Sequence, residues 1–423
     1  MKDRSALVDS PLFMMRLEAM GLLIACLALS EHLNLTFHTH HRILRADRTQ
    51  MTVDLREQLA KRRASCIVAY LQPFRIVESD DAAQPWNVTI EEVNRQTWDY
   101  VKLHEIAGAI DVGLDNPYNL VVSRDGALAL PPLSHLRSDQ AAVEFFNRCL
   151  AGLLLGGVYC EAISVDSLDT GSIIDWKYLR SYRTGQASSN RFHELIRYQQ
   201  ASSMEAIELM YPRTVRFSQL ASAMKVGLSV LSCVARLRGD LLLKGVTGIA
   251  RRDWNSGLSN LWIVIEQIVS HVWDQRIVGQ AVIDGAPKSR RDQLSDNRTW
   301  TVAVKLEVLH QSGFLDAAAL QDLSVARKAR NDLAHEGQTP SETSALAALS
   351  ALRHLLGAVM PEQRIPLFDL NLSDHAISDP FAPREPRAIE PQYWMEIPKL
   401  PNELELEQLE AKARLNVPDD GGG

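Results

Sequence analysis

From Val215 onward apolar residues return every three or four positions and strand punctuation disappears, which is the pattern of packed amphipathic helices. The spacing predicts five of them, over 217–237, 256–273, 299–312, 316–336 and 341–359. Their ends carry local signals. Asp316 opens the fourth, Ser341 is placed to cap the fifth, and Gly313 and Gly337 stop the third and fourth.

Residues 36–190 have a mixed texture. The stretches 65–71 and 74–77 read as strands, and 118–123 turns at Asp125-Gly126 into 127–130 as a β-hairpin. Helical spacing covers 140–155, followed by strand-like pieces around 158–165 and 172–176. Gly152, Gly156 and Gly157 lack a following Lys-Ser or Lys-Thr, so close helix packing accounts for them better than a phosphate loop. Asp169-Thr170-Gly171 reads as turn chemistry rather than as part of a magnesium site with Asp166 and Asp175.

The last segment, 361–423, holds nine of the 18 prolines and 13 acidic against 6 basic residues. Proline spacing there implies an extended arm up to Asn402, which is placed to cap a short helix over 403–415 with Leu404, Leu406, Leu409 and Leu415 as apolar contacts. The tail accounts for the whole net charge of -7, so the remainder is balanced.

At 423 residues and 46% hydrophobic content the chain is long enough for more than one core. The pattern divides it into an α+β region over 1–205, a helical bundle over 215–360 and the tail over 361–423, predominantly helical overall. Cys26, Cys66, Cys149, Cys160 and Cys233 form no C-x-x-C pair, which argues against a zinc site and a disulfide framework and implies a cytoplasmic protein. The apolar run within 12–29 is broken by Arg16 and Glu18 and is shorter than the roughly 18 to 20 residues of a membrane span, so a buried helix without a signal peptide is expected. His38, His40 and His41 lack nearby partners to complete a metal site, and a solvated turn is expected there.

The candidate chemistry lies at the end of the fourth predicted helix, in Arg330-Asn331-Asp332-Leu333-Ala334-His335. Asn331 and His335 stand one turn apart on one face, while Arg330 lies about 140° from His335 around the axis. One straight helix therefore does not aim both side chains at one atom. Either the long arginine curls round or a second copy completes the site. The helix C-terminus favours positive charge at His335, a group able to give and take a proton, and the permanent charge of Arg330 suits a phosphate.

This run resembles the R-x4-H signature of the HEPN superfamily (higher eukaryotes and prokaryotes nucleotide-binding), including the polar residue after the arginine. The helix containing Trp262-Ile263-Val264-Ile265-Glu266 and the lysine-led segment from Lys305 to Leu309 resemble the ApeA-type branch found in anti-phage defence proteins. The resemblance covers roughly residues 250–360, and the first 200 residues resemble no family in this way. It implies an α+β N-terminal region followed by an all-α HEPN-like bundle, acting as a metal-independent endoribonuclease without cofactors. In such enzymes the ribose 2′-hydroxyl attacks the adjacent phosphate, leaving a 2′,3′-cyclic end, and two motifs meet across a homodimer.

Carried onto this chain, the resemblance makes His335 the proton-transfer group, Arg330 the stabiliser of the phosphorane and Asn331 an orienting donor. Glu266 is a candidate carboxylate for positioning Arg330 or His335, with a structural ion pair as its plainer role. Arg251, Arg252, Lys288, Arg290, Arg291 and Lys305 lie in a stretch with eleven basic and seven acidic residues and are candidate contacts to an RNA backbone, a solvated loop being the plainer reading of Arg290-Arg291. By analogy alone the cellular role is abortive-infection defence, with a trigger ligand or phage protein acting on the N-terminal region and no membrane partner. The competing expectation is a non-catalytic HEPN module that pairs subunits or binds nucleotide or RNA.

Overall fold

The computed structural model describes Gln58 and residues 61–80, 86–182, 185–234, 236–372 and 401–415. The apolar run at 12–29, Cys26, the histidines at 38–41 and the prolines between 373 and 400 lie outside these residues. Among the described residues no helix is long and apolar enough to cross a membrane.

The N-terminal region is α+β. Strands β1 (Arg63–Tyr70), β3 (Ile106–Ile110), β4 (Leu120–Ser123), β5 (Ala127–Leu130), β6 (Asp169–Ile174) and β7 (Tyr178–Tyr182) form one antiparallel sheet in the order β3-β4-β5-β1-β6-β7. The sheet curls until its ends approach, with a bridge between Glu105 and Tyr178 and the Ile106 N–H donating to Lys177 O at 2.8 Å. Alternation along β1 explains the two-sided burial. Cys66, Val68 and Tyr70 face the inside of the curl with Ala127, Ala129 and Leu179, whereas Ala69 and Leu71 face the helices. A second, parallel pair joins β2 (Ile76–Glu78) to β8 (Thr214–Arg216), directly before the helical region.

The short helices α1 (Ile90–Arg95), α2 (Tyr100–His104), α4 (Ser188–Arg197) and α5 (Ser203–Ala206) build a satellite core around Trp98, Leu103 and Ile196. The long helix α3 (Asp139–Leu155), capped by Ser138, belongs to the main core instead. It packs on α6 (Phe217–Cys233) and α7 (Gly239–Ala250), and α7 packs on α8 (Trp254–Trp273).

Beyond α8 a π-helical turn (Asp274–Val278) leads into α9 (Gly279–Ile283), then α10 (Lys288–Leu294) and α11 (Val302–Gln311). Helices α12 (Ala317–Glu336) and α13 (Glu342–Val359) complete the helical region by packing on each other and on α8. Asp316 caps α12, accepting from the Ala319 N–H at 2.7 Å, and Ser341 caps α13, accepting from the Ser344 N–H at 3.2 Å. Gly313 and Gly337 stop the chain as the spacing predicts, with φ of 73° and 69° that residues bearing a Cβ adopt at a cost.

Several elements differ from the sequence expectation. Residues 158–164 form no strand, because buried Asn147 supplies the partners a strand would: its Nδ2 donates to Ile163 O and its Oδ1 accepts from the Ile163 N–H, both at 2.9 Å. Asp169-Thr170-Gly171 is strand rather than turn, and Gly171 is needed there because a Cβ would lie 2.7 Å from Val68 Cγ2. The reversal comes later, at Asp175 and Trp176, so β6 ends at Ile174. Helix α7 has no counterpart among the five predicted helices. The last helix, α14 (Pro401–Leu415), begins before Asn402, and Leu404, Leu406 and Leu409 are exposed rather than in apolar contact.

The sheet layer and the helices share one continuous core, and glycine makes that possible. At the crossing of α3 and α6 a Cβ on Gly227 would lie 1.8 Å from Gly152 O, and one on Gly156 would lie 2.1 Å from Ala223 O. Gly227→Ala is therefore expected to destabilise the fold by about 3 kcal/mol, the upper part of the overpacking range. Gly357→Ala, in open space on α13, is expected to stabilise it by about 0.5 kcal/mol. Urea denaturation of both variants checks the contrast; equal stability would contradict the close approach.

Candidate functional site

The residues of α12 that are fully buried are Ala319, Leu323 and Ala326, spaced as one stripe. Four residues further on the same stripe stands Arg330, half-buried, where the helix leaves the core. His335 lies on the exposed last turn. Its turn is closed by the Gly337 N–H donating to Leu333 O at 3.1 Å and the Gln338 N–H donating to Asp332 O at 3.3 Å. The C-terminal end is thus a fixed platform rather than a frayed one.

Arg330 Nη1 donates to Asn331 Oδ1 at 3.3 Å, which occupies the acceptor of that amide and leaves its NH2 to donate elsewhere. Among the described residues the His335 side chain makes no hydrogen bond or ion pair. Within one chain the two residues differ in setting, Arg330 half-buried and His335 exposed.

Among the described residues Glu266 makes no ion pair with Arg330 or His335. Trp262, one turn earlier on α8, donates its indole N–H to Glu266 Oε1 at 2.6 Å. Lys305 is a correction: it is buried, its Nζ donates to Asn297 Oδ1 at 2.9 Å and lies 5.9 Å from the Trp273 ring. Burial pushes this ammonium's pKa down, with Asp274 opposing the shift. Buried in this way, it braces the helices rather than standing free at the surface as the sequence reading expects.

Of the other basic candidates, Arg251 is paired with Glu161, while Arg252 is exposed. Lys288 and Arg290 are exposed on α10, and Arg291 is half-buried with Nε lacking a hydrogen-bond partner. Instead of a solvated loop, this segment is a helix whose end is pinned by two indoles. Trp273 Nε1 donates to Leu294 O at 2.8 Å and Trp300 Nε1 to Gln293 O at 3.1 Å. Arg290 and Trp300 line a cavity of about 670 Å³. Among the described residues no group of three His, Cys, Asp or Glu side chains is arranged to hold a metal ion.

A second polar cluster, unannounced by any motif, lies in the curled sheet. Asp125, fully buried beyond the β4 end of the hairpin, accepts from Arg197 Nε at 2.6 Å and Nη2 at 2.7 Å, from His193 Nδ1 at 3.0 Å and from Ser123 Oγ at 2.6 Å. Arg197 Nη1 donates to Ser181 Oγ at 3.0 Å, which also receives the Tyr70 hydroxyl at 2.7 Å. His193 and Arg197 sit one turn apart on α4, a spacing visible in the sequence; that both would turn onto a hairpin residue about 70 positions earlier in the chain was not. Burial alone would push the Asp125 carboxyl up, but the Arg197 guanidinium and the His193 hydrogen bond outweigh it and the net shift is downward. The cluster is sealed from water, so it locks α4 to the sheet rather than meeting a substrate.

No protein-family model, curated protein or solved structure matches this chain.

Removing one member of the sealed cluster leaves a buried charge without its main partner. Arg197→Met is expected to cost about 3–5 kcal/mol, and the double variant Asp125→Leu/Arg197→Met less than the single one, as read by urea denaturation. Equal losses would contradict the coupling. Burial lowers the pKa of His193, and burial with the Arg197 charge lowers that of His104 to about 4. Both imidazoles stay neutral in the fold yet would take up a proton near pH 6.5 once unfolded. Their stabilisation is complete above that pH and drains as pH falls toward 4. Thermal melts should therefore decline across this window, less steeply in His104→Gln; an unchanged melting temperature would contradict the burial.

Proposed function

We propose that the C-terminal turn of α12 is the reactive end of a metal-independent endoribonuclease of the HEPN type. The observation that carries the reading is the placement of Arg330, Asn331 and His335 where α12 emerges from the core, on a glycine-closed end with the imidazole open to solvent. The R-x4-H spacing in a helical setting adds the family resemblance.

In this reading the imidazole of His335 accepts the proton of a ribose 2′-hydroxyl. The 2′-oxygen forms a bond to phosphorus, the bond to the 5′-oxygen breaks, and that oxygen takes up a proton from a second imidazole. Arg330 stabilises the charge that builds on the phosphorane and Asn331 donates a hydrogen bond to it. Because Arg330 and His335 diverge by about 140° within one chain, a second copy completes the site. Arg252, Lys288 and Arg290, which are exposed, would guide the RNA backbone. The sheet region would then select RNA or receive a trigger in antiviral defence, in the cytoplasm.

The commitment of Glu266 to Trp262 and of Lys305 to Asn297 favours a second reading, a helical module that pairs subunits without catalysis. Purified protein incubated with bulk RNA in EDTA separates the two. Cleavage is expected, and His335→Ala and Arg330→Ala should each reduce its rate by about 10²-fold or more with the oligomeric state unchanged. Full activity in either variant overturns the assignment, and intact RNA with the wild-type chain under every activator condition supports the module.

A further inference from the structure

The outer face of the curled sheet carries a row of aromatic and basic side chains at one end. On β7, Leu179 is fully buried and Ser181 is bonded to Arg197, so both face inward. Tyr178, Arg180 and Tyr182 therefore occupy the opposite face, with Tyr182 exposed and the other two half-buried. The register sets Ile174, Ser172 and Thr170 of β6 directly beside them, and Arg63 and Ser65 of β1 beyond Ile174 and Ser172. On the other side of β7 the bridge partner of Tyr178 is Glu105, whose carboxylate is taken up by Arg124 and Lys177.

The hairpin tip adds an independent observation. Three residues separate the paired Ile174 and Tyr178; Asp175 and Trp176 adopt φ of 52° and 57°, positions that glycine or asparagine ordinarily fills, and the Lys177 N–H donates to Ile174 O at 3.1 Å. A tryptophan here is an expensive choice for the backbone, and its side chain is 76% exposed, so neither local conformation nor the core accounts for it. It stands at the hairpin tip, two positions before Tyr178, where the row of Tyr178, Arg180 and Tyr182 begins.

The surroundings are basic. Lys61, Arg62, Arg63, Lys177 and Arg180 belong to this end of the sheet. The nearby acids are already engaged, Asp175 with Arg62 at 2.5 Å and Glu105 with Arg124 and Lys177 at 3.2 and 3.5 Å. Among the described residues neither Arg63 nor Arg180 has an ion-pair partner. Aromatic faces alternating with unpaired guanidinium groups match a ligand that alternates flat bases with phosphates, and only a single strand offers its base faces.

We propose that this face binds single-stranded nucleic acid, with bases stacking on Trp176, Tyr178 and Tyr182 and phosphates meeting Arg180 and Arg63. The site deepens the RNA reading of the preceding section but does not rest on cleavage, because binding is measured where cleavage is disabled.

Fluorescence anisotropy of a labelled 12-nucleotide uridine RNA against full-length His335→Ala protein provides the test. The single strand should bind with an affinity that falls as salt rises, and a duplex of equal length at least about tenfold more weakly. Arg180→Ala and Tyr182→Ala should each weaken binding about five- to tenfold. Trp176→Gly should do the same while preserving the melting temperature, since glycine suits the turn better. Equal binding of a DNA strand supports stacking on this face. Duplex bound as tightly as single strand, absence of binding, or full affinity in Trp176→Gly/Tyr182→Ala overturns the proposal. Binding intact in the His335→Ala protein together with no cleavage of RNA by the wild-type protein would refute the ribonuclease reading alone.

Discussion

Helices α3 and α6 cross with backbone against backbone at Gly152 and Gly227, and the relation between the sheet and the helices depends on that contact. With no side chain between them, the two helices bring Leu150, Leu154, Met224 and Leu231 into a single apolar cluster with the sheet face and with α7, α8 and α13. Dispersion falls steeply with separation, so a one-carbon spacer at the crossing would loosen contacts well beyond it. The end of α12 inherits its position from this stack through α8 and α13.

The chain uses charge in two opposite ways. In the curled sheet Asp125, His193 and Arg197 are removed from water, where each group must be satisfied by the others, and the result is a lock. At the α12 terminus and along Tyr178–Tyr182 charged and polar groups stand at the surface with few partners, where they remain able to meet a ligand. The proposed chemistry and binding draw on the second arrangement. The sealed cluster contributes by fixing Leu179 and Ser181 inward, which leaves Tyr178 and Tyr182 outward.

Much of the helical region was legible because its determinants are local. Asp316, Ser341 and Gly337 act within a few residues of themselves, and the apolar period of α12 and α13 survives in any context. The β4–β5 hairpin was equally plain from Asp125-Gly126. Helix α7 escaped because it is apolar almost all round and carries Gly239, Gly245 and Gly248, which blur the period while allowing close contact with Leu261 and Gly257. The stretch at 158–164 has strand composition, yet the partner that decided it was the side chain of Asn147. Lys305 looked like a surface cation because nothing adjacent in sequence reveals Asn297 and Trp273 above it. At the candidate site the positions of Arg330 and His335 were readable and their divergence followed from helix geometry, whereas the engagement of Glu266 by Trp262 required the rotamers.

The proposed chemistry uses an imidazole and a guanidinium in place of a metal, and its signature is left on the product. The most direct measurement is the chemical nature of RNA ends after incubation with the purified protein in excess EDTA, read by mass spectrometry. The account predicts 2′,3′-cyclic phosphate on one fragment and a 5′-hydroxyl on the other. Fragments bearing 5′-phosphate and 3′-hydroxyl ends would contradict it.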